Sequence, residues 1–227
     1  MTSGAGHQSW DPCAVPGLAP PPPAGRSGHS PGVADLGLHP APDTSAAEWI
    51  SDLSFDELVT FGPAGFEAYA RLRFIPDPRR EGQSEADVVL PADHPSELDQ
   101  SRRALDQLAR HTETADQCYF CIWDGYGLDL VAGPAGRAVL HLPHRSYALM
   151  EGPLEALETW EADLGREGPL VPPALVWPAD HSWCFVSDVD PHWAGIGAST
   201  AAIGQLLADP TLDIVAANPR DPQPYYY

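Results

Sequence analysis

Cys118-Tyr119-Phe120-Cys121-Ile122-Trp123 is an unbroken apolar run, closed by the turn Asp124-Gly125-Tyr126-Gly127. A run this short, without polar alternation, is the pattern of a strand buried on both faces. Outward from it toward the C-terminus, Arg137 to Leu142 reads as a second strand. Ser146 to Met150 reads as a third, after a turn at Pro143-His144. Gly152-Pro153 opens a helix through Leu154, Leu157 and Leu164, with Glu155, Glu158, Glu161 and Asp163 on its wet side. Leu175-Val176-Trp177 and Trp183 to Ser187 are two more strands, Ser199 to Leu207 is a helix, and Leu212 to Val215 is a short last strand.

Toward the N-terminus the pattern is helical. Ser54 caps Phe55 to Val59, with Glu57 three residues on completing a capping box. Gly62-Pro63 interrupts. The spacing of Phe66, Tyr69, Ala70 and Phe74 predicts a second helix over Ala64 to Phe74. Residues 77–94 read as an irregular acidic connection. Pro95-Ser96 then opens a helix whose stripe is Leu98, Leu105 and Leu108, ending near His111-Thr112. Strands cluster after residue 117 and do not alternate regularly with helices. The expectation is a single α+β domain, with a mainly antiparallel sheet and flanking helices.

Three regions follow: a disordered Pro/Gly-rich tail over 1–45, the α+β domain over 46–217, and a C-terminal extension over 218–227. The tail carries Pro20-Pro21-Pro22-Pro23 and too few large apolar side chains to offset its ordering entropy. The extension ends in Tyr225-Tyr226-Tyr227, with no evident packing partner.

The chain has 227 residues, 32 acidic against 12 basic, and every basic residue is Arg; the formal charge is −20. Residues 46–227 hold 29 of the acids and 11 of the Arg, so the acidity belongs to the folded part. Scattered Arg in so acidic a chain make no phosphate-binding face, which argues against nucleic acid. Without Lys there is no lysine nucleophile or P-loop lysine. No apolar run is long enough for a membrane span, and no signal peptide is visible. The expected location is the cytoplasm, with the cysteines reduced.

Asp188-Val189-Asp190-Pro191-His192 follows an apolar strand. If extended geometry persists, Asp188, Asp190 and His192 face one side as a candidate divalent-metal set. The competing reading gives them turn roles. Cys118 and Cys121 have CxxC spacing, and His141 and His144 could complete a Cys₂His₂ set. Residues three apart on a strand point to opposite sides, so buried, inert thiols are the favoured reading. Arg145, beside His144, either pairs internally or grips an anion, with internal pairing favoured. Trp123 and Tyr126, and the Trp177–Trp183 loop around Asp180-His181, are candidate aromatic contact surfaces. Gly195-Ile196-Gly197-Ala198 reads as a Gly-rich turn before Ser199, the N-cap of the last helix.

The segments Cys118 to Gly125, Pro143 to Tyr147, Gly152 to Leu154, and Trp177-Pro178-Ala179-Asp180-His181-Ser182-Trp183-Cys184 with Asp188-Val189-Asp190 resemble a group of actinobacterial proteins with no established activity. The resemblance spans roughly residues 46–215. It implies an intracellular domain and no catalytic residues. The first expectation is therefore a non-enzymatic domain without cofactor that binds a basic protein partner through Trp123, Tyr126, Arg145, Trp177 and Trp183. The alternative is a metal-dependent hydrolase, with Asp188, Asp190 and His192 holding a divalent metal, His144 as acid or base, and Arg145 on an anionic substrate group.

Overall fold

The computed structural model describes residues 37–126, 138–159, 172–189 and 191–227. The tail over 1–36, the stretch of the expected helix through Leu164, Gly127, Arg137 and Asp190 lie outside the described residues, as does the side chain of Tyr126.

The fold is α+β. Its sheet comprises β1 (His39–Pro40), β2 (Ala68–Arg73), β3 (Cys118–Trp123), β4 (Val139–Leu142), β5 (Arg145–Gly152), β6 (Leu175–Pro178), β7 (Cys184–Val186), β8 (Trp193–Ala198) and β9 (Ile214–Ala217). The order is β1-β5-β3-β6-β7-β8-β2-β9. Each pairing is antiparallel. β4 and β1 share the outer edge of β5, β4 along its first half and β1 at its end. The run that opened the sequence reading is β3, paired on both edges, by β5 and β6.

Among the described residues the α-helices are α1 (Phe55–Val59), α2 (Glu97–Leu108) and α3 (Thr200–Ala208). The Ser54–Glu57 capping box forms, and Ser96 and Ser199 cap α2 and α3. Alternate strand residues feed two cores. On one face, Leu98, Leu105 and Leu108 of α2 and Ile203 and Leu206 of α3 pack against Leu72, Phe120, Phe185 and Ile196. Burying each such side chain is worth about 2 kcal/mol. On the other face, Ile50 and Leu58 cover Leu149, Leu175, Trp177 and Val186. Among the described residues, no helix is long and apolar enough to cross a membrane.

Four expectations change. The helix over Ala64–Phe74 is strand β2. Ala70, Leu72 and Phe74 alternate into the helical core, whereas Arg71 and Arg73 share the opposite face and reach one carboxylate, Asp77. That period of two wins over the helical spacing of the aromatics. The Gly-rich segment before Ser199 is strand β8, hydrogen-bonded on both sides. Its glycines let the chain at 60–66 lie flat on the sheet: a Cβ at Gly195 would stand 1.9 Å from the Thr60 carbonyl oxygen, and one at Gly197 would stand 2.3 Å from the Phe66 ring. The folded part begins before residue 46, since Leu38 and Ala41 are buried and His39–Pro40 pair with β5. The last strand lies two residues beyond the expected Leu212–Val215 span. Asp213, at its start, instead ion-pairs with Arg73.

Gly195→Ala is expected to destabilise the fold by about 3 kcal/mol, because the Thr60 carbonyl is backbone and cannot swing away. Gly204→Ala, in α3 where an added Cβ meets nothing within 4 Å, is expected to stabilise by about 0.5–1 kcal/mol. Urea melts of the two variants against the parent chain check the pair.

Candidate functional site

The sequence candidates separate into structural groups. Arg145 pairs internally. Its guanidinium donates to Asp188 at 3.1 and 3.4 Å, and its Cζ lies 4.9 Å from the Trp123 ring centroid and 5.2 Å from that of Phe55. The Asp188 side chain is only 4% exposed, so this pair neutralises a buried charge. His144, the neighbour of Arg145, is exposed at the β4–β5 turn with φ 61° and sets its ring edge-on to Phe55. Trp177 and Trp183 are fully buried and belong to the two opposite cores. They are packing residues rather than the rim of a contact surface. Trp123 is half-buried beneath Arg145.

Asp188 and His192 do not converge. Asp188 faces Arg145, while His192 bonds to Asp77. Among the described residues, no three His, Cys, Asp or Glu side chains come within reach of one metal ion. Asp180 accepts from the Thr112 hydroxyl and from the Glu113 and Ser182 backbone amides, and His181 stacks on Trp49 at 4.1 Å. Cys118 and Cys121 point into opposite cores. Burial pushes the Cys118 thiol up to about 12 and raises Cys121 well above its ordinary value, as expected of inert thiols.

The arrangement the sequence reading missed surrounds Asp77, in the loop after β2. Arg71 grips the Asp77 carboxylate with both terminal nitrogens, at 2.7 and 3.1 Å, and Arg73 adds a third bond at 3.1 Å. His192 Nε2 lies 3.1 Å from the same carboxylate. A carboxylate only accepts, so Nε2 carries the proton. The buried Nδ1 has no hydrogen-bond partner among the described residues, so the neutral imidazole is the form this site favours. Accordingly, burial lowers the His192 pKa against the pull of Asp77. Burial alone would raise the Asp77 carboxyl, but the hydrogen bonds from Arg71 and His192, with Arg73 behind them, bring it to about 2.

The C-terminal extension closes over this cluster, contrary to the expectation that its tyrosines have nothing to pack on. Tyr226 donates to the Pro76 carbonyl at 2.5 Å and meets His192 edge-on at 4.7 Å. Trp193 Nε1 donates to the Pro224 carbonyl at 3.2 Å, and the Tyr227 amide donates to the Gln83 carbonyl at 3.0 Å. Between the extension, α1 and the start of β8 lies a groove of about 720 Å³. Phe61, Trp193, Tyr225 and Tyr226 bring rings to it, Asp56 and Asp221 bring carboxylates, and prolines supply much of the rest; among the described residues no basic side chain lines it. Signals for this site were present in the sequence as the Arg71–Arg73 alternation and the clustered aromatics at the C-terminus.

Compared with known proteins, the chain matches no family model, no curated protein and no solved structure at a significant level.

Asp77→Asn is expected to cost about 3 kcal/mol, because it leaves Arg71 buried without its counter-charge. A carboxyl held near 2 in the fold and near 4 when unfolded binds protons more tightly in the unfolded chain. Its contribution is therefore complete above about pH 4 and is lost as pH falls toward 2. His192, whose pKa is also lowered, weakens the fold earlier, as pH falls below about 6.5. Chemical melts between neutral pH and pH 2 should show the lower step in the parent chain and not in Asp77→Asn.

Proposed function

We propose that the chain is a non-enzymatic binding domain that docks a basic segment of a partner protein into the groove between α1 and the C-terminal extension. The observation that carries this reading is the lining: aromatic rings and two carboxylates with, among the described residues, no basic side chain. Aromatic faces and carboxylates both attract cations. The −20 formal charge of the chain supports it, since a potential of that sign steers a basic partner toward the surface. The anchoring role expected of Trp123, Arg145, Trp177 and Trp183 passes to Tyr225 and Tyr226. Trp177 and Trp183 lie in the core, and Arg145 with Trp123 is committed to Asp188. The hydrolase reading has no comparable support, because Asp188 and His192 serve separate ion-pair systems.

Titration of the full chain with a short synthetic peptide of mixed Arg and Lys, followed by calorimetry, tests the proposal. Binding should weaken with added salt. It should fall about tenfold in the Asp56→Asn, Asp221→Asn double variant, the loss expected for two exposed ion pairs. Both residues are exposed, so the variant should keep the parent circular dichroism. Equal binding of an acidic peptide, or a double variant that binds like the parent, would overturn the proposal.

A further inference from the structure

The donor side of the groove is already engaged. Trp193 Nε1 donates to Pro224, Tyr226 to Pro76, and the Thr60 hydroxyl to the Asp56 carbonyl. The Gln223 amide donates to the carbonyls of Asn218 and Asp221. Pro191, Pro219, Pro222 and Pro224 have no N–H to offer. Tyr225 shares its hydroxyl with that of Tyr227, and what the lining presents is the Asp56 and Asp221 carboxylates beside aromatic rings. A ligand that fits such a lining brings the donors itself and carries positive charge.

The same chain shows how it holds such a group. Arg145 lies between the Phe55 and Trp123 rings with its guanidinium on Asp188. Arg71 lies 5.4 Å from the centroid of the Trp193 ring with its guanidinium doubly bonded to Asp77. Each is an arginine held by an aromatic face and a carboxylate. The groove combines those two ingredients a third time, and it shares Trp193 with the Arg71 cage.

Resting on the docking reading above, we infer that the groove selects arginine: the anchoring side chain of the partner is a guanidinium lying against the rings of the C-terminal extension, paired with Asp56 and Asp221. Guanidinium suits this lining better than ammonium for three physical reasons. It is planar and stacks on rings, it sheds water more readily, and its fork of N–H donors meets a carboxylate with two parallel bonds. A volume of about 720 Å³ also admits the flanking peptide backbone, so the arginine enters as part of a segment.

Three otherwise identical peptides carrying arginine, lysine or citrulline at the central position, titrated into the full chain, test this. The arginine peptide should bind tightest. Lysine should be about tenfold weaker for want of the stacked, forked contact, and neutral citrulline weaker by about tenfold or more. Tyr225→Leu, at a residue 57% exposed, should narrow the arginine-to-lysine ratio without unfolding the chain. Equal affinity for arginine and lysine, with citrulline much weaker, would overturn the arginine selection and leave the basic-partner reading standing. No binding by any of the three, or citrulline equal to arginine, would overturn both.

Discussion

A sheet this wide has two faces to cover, and among the described residues the two longer helices, α2 and α3, lie on only one of them. α2 and α3 lie against the core built on Leu72, Phe120 and Ile196. Among the described residues, the opposite face is covered by chain from Ala41 through Phe66, a 3-10 turn over Ser45–Ile50 and the short α1 set in irregular backbone. Irregular chain can seal a sheet only by lying close to it. At β8 that closeness is absolute: the Thr60 carbonyl and the Phe66 ring occupy the space where side chains of residues 195 and 197 would project. The glycines there are a packing requirement rather than a turn. The same constraint places Phe61 and α1 beside Trp193, and so builds one wall of the groove.

A second consequence is the way charge is handled. The covered face carries Arg71 and Arg73 on β2, one strand in from the β9 edge of the sheet and paired on both sides, where an unpaired buried charge would be costly. Asp77 answers both, and His192 joins as a neutral donor. The cluster gives the C-terminal extension something specific to close on. Tyr226 sits edge-on to His192, and Trp193, against which Arg71 lies, bonds to Pro224. Ion pairing on β2, packing of the extension and the form of the groove are thus one connected system. Arg145 with Asp188 solves the same problem independently at the other side of the sheet.

Local signals in the sequence were legible where one interaction dominates. The apolar run of β3, the three serine caps and the leucine stripe of α2 each depend on neighbours close in the chain, and each forms as read. The internal pairing of Arg145 was legible because a cation in so acidic a chain has many candidate partners nearby. What escaped were features decided by distant contacts. Phe66 and Tyr69 mimic a helical stripe, yet they pack on each other, and Tyr69 on Phe61, across a bend at Gly62 and Gly65. Gly195 and Gly197 look like a turn until Thr60 and Phe66 are known to press on them. Trp177 and Trp183 flank a polar loop in the sequence, but burial places them in the cores. The groove could not be read at all, because its walls come from residues 56–61, 191–193 and 219–226.

The chemistry of that groove follows from how its walls are held in place. A proline-rich extension without regular secondary structure has few ways to anchor itself, and here the side-chain donors around it supply much of the anchoring. Trp193, Tyr226 and Gln223 each bond to a backbone carbonyl in or beside the extension. Using donors for internal anchoring leaves a surface of acceptors facing outward, and Asp56 and Asp221 give it a negative sign. The preference for a donor-rich cation is therefore a by-product of how the extension is fastened.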